Sequence, residues 1–145
     1  MEYKSINKLF KFFLRSPYHF FNNKTAKLFG KRFIEVTSIG RASGKERKTL
    51  LEVIFILDTS PVVIAAFGPK SDWVLNLRKN PICKVQWANK SYKSKAIWVD
   101  DLNSSNILDS YKKKHPLLVK VYEKILGMDW ESFKGLPVCC LPKHI

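Results

Sequence analysis

The sequence predicts an α+β domain in which mostly antiparallel strands form a barrel flanked by helices. Short apolar runs are separated by turn residues, and apolar stripes at helical spacing occur before, between and after them. One of the strand runs is apolar on both of its faces. With 145 residues, of which 46% are hydrophobic and 26% charged, the chain has the size and composition of one globular domain.

The N-terminal part is predicted to be a helix. Residues 2–15 carry apolar side chains at helical spacing with lysines mostly off that stripe, and Pro17 ends the helix. The pattern suits a helix packed on its own domain, and it equally suits a basic amphipathic helix on an anionic membrane. We therefore divide the chain into an N-terminal helix with its connector, residues 1–32, and a barrel domain, residues 33–145.

Three strands are predicted at the start of the barrel domain. Residues 33–39 form the first, and a bend at 40–45 with two glycines leads into a long second strand over 46–58. Because the second strand is apolar on both faces, we expect helices or a second subunit to cover it, and a homodimer is one way to do so. Residues 61–67 form the third strand.

A short helix and two further strands follow. The turn at Gly68-Pro69 precedes the helix, Ser71 is its expected N-cap, and Asn80-Pro81 ends it. Residues 82–88 and 91–99 are the two strands, joined by a tight hairpin.

The last part of the chain is mainly helical. One helix is expected to be capped by Ser104 or Ser105, and the next begins at Pro116 and ends at Gly127. Residues 135–141 form a final short strand.

The formal net charge of +14 predicts anionic partners, which are nucleic acid, phosphate-bearing small molecules or an acidic membrane surface. Most basic residues are lysine, whereas proteins that recognise specific bases depend on arginine, so nucleic acid is the least favoured partner.

No apolar run approaches the roughly 18 residues of a membrane span, and no signal peptide is evident. We expect a cytoplasmic protein, with peripheral contact at the inner membrane face through residues 1–17 as the alternative.

The titratable and thiol side chains indicate no catalytic triad and no metal centre. The three histidines are scattered and lack a carboxylate at partner spacing, so no catalytic residue is assigned. The three cysteines match no zinc spacing and fit buried thiols in a reducing compartment.

The most informative segment is the basic bend at residues 40–49. It combines flexible backbone amides and a hydroxyl with four cations, which are Arg41, Lys45, Arg47 and Lys48. Exposed amides in such bends bind anions, and arginine adds bidentate contacts to phosphate or carboxylate. An ordinary solvated hairpin turn has the same composition, so this bend alone leaves both interpretations open.

A second segment, residues 65–81, runs from the end of a strand into the start of a helix. Small residues at Ala65, Ala66 and Gly68 allow a flat ring to approach the backbone. The helix N-terminus favours negative charge on such a ring.

These segments resemble the deazaflavin-dependent nitroreductase family, a branch of the split β-barrel flavin oxidoreductases, over about residues 33–127. Three blocks carry the resemblance: Gly40-Arg41-x-Ser43-Gly44-x-x-Arg47-x-Thr49 followed by Leu51-Glu52-Val53; Phe67-Gly68 followed by Asp72-Trp73-x-x-Asn76-Leu77-Arg78-x-Asn80-Pro81; and Tyr111 with the His115-Pro116 junction.

The resemblance implies an FMN-binding-like split β-barrel with a redox cofactor across it. The implied cofactor is the 8-hydroxy-5-deazaflavin coenzyme F-420, with FMN as the alternative. Its anionic tail would lie at Arg41, Ser43, Lys45, Arg47 and Thr49, its ring at Phe67, Gly68, Lys70, Trp73 and Asn76, and the acceptor at Tyr111 and Tyr122. The implied activity is hydride transfer to a small, apolar, electron-poor acceptor, and nitro reduction is not carried over. The alternative is a non-catalytic basic protein that binds an anionic membrane or nucleic acid on the same barrel.

Overall fold

A computed structural model describes residues 31–143. The strands are β1 (Phe33–Ile39), β2 (Glu46–Leu57), β3 (Ser60–Ile64), β4 (Ile82–Trp87), β5 (Lys90–Lys95), β6 (Ile97–Trp98) and β7 (Val138–Cys140). The helices are α1 (Asp72–Lys79), α2 (Asp101–Lys114), α3 (Pro116–Leu126) and α4 (Trp130–Phe133). The helix predicted over 2–15 lies outside the described residues, and the domain division at residue 32 stays a prediction.

The strands form one antiparallel sheet in the order β5-β4-β1-β2-β3-β7-β6. β1 and β2 pair from Ile39 opposite Glu46 onward, so the basic bend closes a hairpin. The pairing of β2 with β3 shifts register between Val53 and Phe55, and such a bulge bends the strand. The sheet with its flanking helices confirms the predicted α+β fold.

Both faces of the sheet are apolar, as side-chain alternation along the strands shows. Val63 and Cys139 pack in a core with α1, whereas their neighbours Val62 and Val138 face α2 on the other side. The central part of β2 is therefore covered on both faces, as predicted. The C-terminal end of β2 is not covered, because Ile56 and Leu57 are each 44% exposed.

Two predicted strands are shorter than expected because turn hydrogen bonds replace the ladder. β3 ends at Ile64, after which the Gly68 N–H donates to the Ala65 carbonyl at 3.0 Å. The strand predicted over 91–99 divides at Ala96, whose N–H donates to Pro81. The residues before Ala96 pair with β4, and the residues after it pair with β7. The single predicted strand is therefore two strands with different neighbours in the sheet.

The helix starts differ from the predicted caps. Asp100, and neither Ser104 nor Ser105, caps α2, since its Oδ1 accepts the Asn103 N–H at 2.8 Å. Ser71 occupies the predicted N-cap position of α1, but its hydroxyl donates to the Gly68 carbonyl at 2.8 Å and makes no capping hydrogen bond. Helix α2 begins at Asp101, so Ser104 and Ser105 lie inside it and Asp100 is the residue at the capping position.

The final segment also differs from the prediction. Of residues 135–141 only Val138–Cys140 form a strand, and the short helix α4 before it was not predicted. Among residues 31–143, no helix is long and apolar enough to cross a bilayer.

Candidate active site

A cavity of about 620 Å³ lies along β2, between the basic bend and helices α2, α3 and α4. Its lining includes both Arg47 and Ile54 of β2, which are seven residue steps apart, and seven steps of strand span about 23 Å. The cavity is therefore elongated. The end at the bend is cationic, with Arg41, Arg47 and Lys48 in its lining, and the end at the helices is mainly apolar.

The bend is fastened to α1 by Arg41. The Arg41 backbone N–H donates to Asn76 Oδ1 at 3.1 Å, and its Nη1 donates to the same oxygen at 3.0 Å and to Asp72 Oδ1 at 3.2 Å. Lys79 Nζ donates to the Arg41 carbonyl at 2.9 Å. Arg41 is thus held in one direction beside the cavity, and the exposed Asp72 is its ion-pair partner.

The shape of the bend requires its two glycines. Gly44 has φ +71°, and a Cβ on Gly40 would lie 2.7 Å from Ser43 Oγ. The Gly40 N–H donates to Lys45 at 2.8 Å, and Ser43 Oγ accepts the Lys45 N–H at 3.2 Å. The Ser43 hydroxyl therefore lines the cavity while it stabilises the bend.

Most of the residues predicted to form the site surround this one cavity. The lining contains Arg41, Ser43, Arg47, Thr49, Phe67, Trp73, Asn76, Tyr111 and Tyr122. Trp73 is also a core residue, stacked on Trp98 with ring centroids 6.1 Å apart.

Three residues predicted for the cofactor do not line the cavity. Lys45 is exposed at the tip of the bend, and Lys70 is exposed in the turn before α1. Gly68 shapes the same turn with φ +104°. The resemblance implied cofactor contacts for all three, but none of them is in the lining of this cavity.

The polar group at the helical end is a carboxylate between two phenols. Tyr111 of α2 donates its hydroxyl proton to Glu52 Oε2 at 2.6 Å, and Tyr122 of α3 donates to Glu52 Oε1. Glu52 was matched in the resemblance but was not predicted as a site residue. The available signal was a single carboxylate inside an apolar strand, which must find partners when it is partly buried.

Aromatic rings form the wall behind these phenols. Trp130 stacks on Tyr111 at 5.5 Å and on Phe133 at 4.7 Å between centroids. Trp130 Nε1 donates to the Leu108 carbonyl at 3.0 Å, which fixes the indole. Sequence reasoning missed Trp130 and Phe133 because α4 is a single turn with no periodicity to detect.

Burial raises the pKa of both Tyr111 and Tyr122 well above the ordinary tyrosine value, and the negative charge of Glu52 raises each pKa further. Arg32 opposes this by lowering each pKa. The phenols therefore stay protonated throughout the physiological range.

Alkaline titration should show both phenols resisting ionisation until the protein unfolds. An unfolded tyrosine has a pKa near 10, so above about pH 10 the unfolded state loses protons that the folded state keeps. The stability that these phenols contribute is complete below that pH and is lost as pH rises further. Tyrosinate absorbance followed beside circular dichroism checks this, with Tyr122→Phe as the control. Ionisation of every tyrosine before any unfolding would contradict it.

The antiparallel sheet with its flanking helices is that of a split-barrel protein, and its elongated cavity is cationic at one end and aromatic at the other. The model of the F420H(2)-dependent quinone reductase family matches residues 15–126, and the chain belongs to this family. Membership confirms the resemblance to deazaflavin-dependent reductases, the assignment as an oxidoreductase, and coenzyme F-420 as the cofactor, with FMN only an alternative. It favours the enzyme over the non-catalytic binding protein.

Solved structures support the same fold. An F420-H2 dependent reductase, FDR-A, is 17% identical with a TM-score of 0.57, over 78% of this chain and 96% of its own. A structure described as a domain-swapped dimer is 16% identical with a TM-score of 0.57, over 87% and 99%. An assigned pyridoxamine 5'-phosphate oxidase from Listeria innocua is 12% identical with a TM-score of 0.55, over 79% and 85%. At such identities the likeness concerns the fold alone. No curated protein matches the chain.

Proposed function

We propose that this deazaflavin-dependent oxidoreductase holds coenzyme F-420 along β2 and reduces a small, apolar, electron-poor acceptor at the helical end of the cavity. A quinone-type ring is the favoured acceptor, because the family is named for quinone reduction and because the lining at that end is aromatic. The observation that carries the proposal is that one cavity joins the cationic bend to the aromatic wall.

The residues of the bend suit the anionic tail of the coenzyme. Arg41, Arg47 and Lys48 bring three positive charges to the lining, and guanidinium groups bind phosphate and carboxylate by charge-assisted hydrogen bonds. Asp72, which also lines this end, is paired with Arg41 at 3.2 Å. In this proposal Ser43 and Thr49 border the tail, and the exposed Lys45 and Lys70 contribute through the overall field.

In this proposal the ring lies between the two ends of the cavity. Phe67, Trp73 and Asn76 line the cavity, with Asn76 bonded to Arg41 of the bend and Phe67 packed in the cluster of Tyr111 and Trp130 at the helical end. When bound in its reduced form, the deazaflavin supplies the hydride, so the protein needs no nucleophile of its own. The chain's part is to orient both rings and to exclude water with the wall formed by Trp130 and Phe133.

Titration of the full chain with coenzyme F-420 tests this function. We expect saturable binding at micromolar concentration, followed by fluorescence of the deazaflavin. A deazaflavin lacking the phosphate and glutamate tail should bind more weakly, and FMN serves as the competing cofactor. Equal affinity for the tailed and tailless forms, or no binding of any of the three, would contradict the proposal.

Assembly and location stay proposals. The domain-swapped dimer among the similar structures supports a homodimer, as do the exposed Ile56 and Leu57 at the end of β2. Contact of residues 1–17 with a membrane, and a cytoplasmic location, rest on the sequence alone.

A further inference from the structure

Among the described residues that line the cationic end of the cavity, one carries a carboxylate. It is Asp72, at the start of α1. Its Oδ1 accepts from both Nη1 and Nη2 of Arg41, each at 3.2 Å. These two nitrogens form an edge by which a guanidinium group receives a phosphate or a carboxylate. Asp72 therefore occupies on Arg41 a place that an anionic ligand could otherwise take.

Asp72 contributes little to holding the bend. Its side chain is 82% exposed, and exposed ion pairs stabilise a fold only slightly. The bend is fastened without it, because the buried Asn76 accepts the Arg41 backbone N–H at 3.1 Å and Lys79 donates to the Arg41 carbonyl at 2.9 Å. The main consequence of the pair between Asp72 and Arg41 is therefore electrostatic.

The pair changes the charge that a ligand meets. Arg41, Arg47 and Lys48 bring three positive charges to the lining at this end. Asp72 brings one negative charge, so the lining here has a net charge of two instead of three. Repulsion by Asp72 grows with the charge of the ligand, and it is about twice as large for a dianion as for a monoanion at the same place.

The two candidate cofactors differ in this respect. The phosphate of coenzyme F-420 joins the side chain of the ring to the glutamate tail, so it is a diester with one negative charge. The phosphate of FMN is a terminal monoester, and such a group carries a charge of about −1.5 to −2 at neutral pH. Asp72 therefore disfavours the phosphate of FMN more than it disfavours a diester in the same position.

We propose that Asp72 is a specificity-determining residue, which by neutralising Arg41 makes the cationic end select a phosphodiester over a dianionic phosphomonoester. The assignment of the ligand's phosphate to this end rests on the proposed function. Asp72 acts through its charge and through Arg41, and it takes no part in hydride transfer.

The test measures the affinity of the full chain for three ligands with one ring: riboflavin, the monomethyl phosphodiester of FMN, and FMN. Fluorescence titration at neutral pH and low salt compares the wild type with Asp72→Asn. Affinity should rise about threefold for each negative charge on the ligand, which means about tenfold for FMN, about threefold for the diester and no change for riboflavin. At high salt the gain should shrink, because the pair is exposed.

Asp101→Asn is the matched control. Asp101 is exposed in the first turn of α2, as Asp72 is in the first turn of α1, but it lies outside the cavity lining. Its variant removes the same charge and should change the affinity for FMN by less than about twofold. Asp72→Glu keeps a carboxylate near Arg41 and should retain the wild-type affinities. Asp72→Ala is a second neutral variant with the same expectation as Asp72→Asn, and thermal unfolding checks that each variant is folded.

Three results would overturn the proposal: a gain in Asp72→Asn that is equal for the three ligands, no gain for FMN, or an equal gain in Asp101→Asn. Equal gains would indicate a change in the shape of the bend and not in its charge. These outcomes are separable from failure of the proposed function. A chain with the charge-dependent gain that does not bind coenzyme F-420 refutes the function alone, whereas one that binds the coenzyme without this gain refutes only the role of Asp72.

Discussion

The double variant Arg41→Ala/Arg47→Ala should bind coenzyme F-420 at least about a hundredfold more weakly than the wild type. A hydrogen bond to a charged group contributes about 1.5–3 kcal/mol, and about 1.4 kcal/mol corresponds to a tenfold change in affinity. Both guanidinium groups line the cationic end of the cavity, so the losses of binding free energy from the two contacts should add. Fluorescence titration with the coenzyme measures it.

A matched control is available on β5, where the exposed Lys90 and Lys95 lie outside the cavity lining. Lys90→Ala/Lys95→Ala removes the same charge and should change the affinity by less than about threefold, through the general field alone. The tailless deazaflavin should bind the arginine double variant with the same affinity as it binds the wild type.

Because Arg41 also fastens the bend, the single variant Arg47→Ala is needed to separate loss of a ligand contact from loss of the bend. Its affinity for the coenzyme should fall about tenfold or more. Wild-type affinity in Arg47→Ala would place the tail elsewhere.

Phe133→Ala should lower the free energy of unfolding by about 3–5 kcal/mol, as large-to-small changes at buried aromatics do. Phe133 is 1% exposed and stacks on Trp130, which in turn supports Tyr111. The cost is a large share of the roughly 5–15 kcal/mol by which domains are stable. Urea unfolding followed by circular dichroism measures it, with Phe133→Leu as a milder variant.

Leu77→Ala separates stability from function in the same experiment. Leu77 is fully buried in the other core, away from the cavity, and its truncation should cost a similar 2–5 kcal/mol. Only Phe133→Ala removes part of the cavity wall, so only that variant should raise the KM for a quinone acceptor. A raised KM in both variants would show that the effect is global loosening of the fold.

Sequence reasoning succeeded where a pattern extends over many residues. The length and two-faced apolar character of β2 predicted a covered central strand, and Leu51 and Ile54 do pack on opposite sides. The glycines of the bend predicted a hairpin, and Gly44 has the positive φ that such a turn requires.

Sequence reasoning failed where a single local contact decides which of several similar residues forms a cap or a site. Asp100 outcompetes Ser104 as the cap of α2, while the Ser104 hydroxyl donates to the Val99 carbonyl at 3.4 Å. Glu52 could be noticed from its apolar neighbours, but its two phenol partners lie 59 and 70 positions further along the chain. Contacts over such separations depend on how the helices cross β2, and no spacing rule specifies that.

The fastening of the bend to α1 has a thermodynamic consequence for ligand capture. Since Asn76 and Lys79 already hold the Arg41 main chain and side chain, the cationic end of the cavity is preorganised for the proposed tail. Association then loses little conformational entropy from the loop, and more of the electrostatic attraction remains as affinity. The backbone of the free and loaded bend should superpose closely.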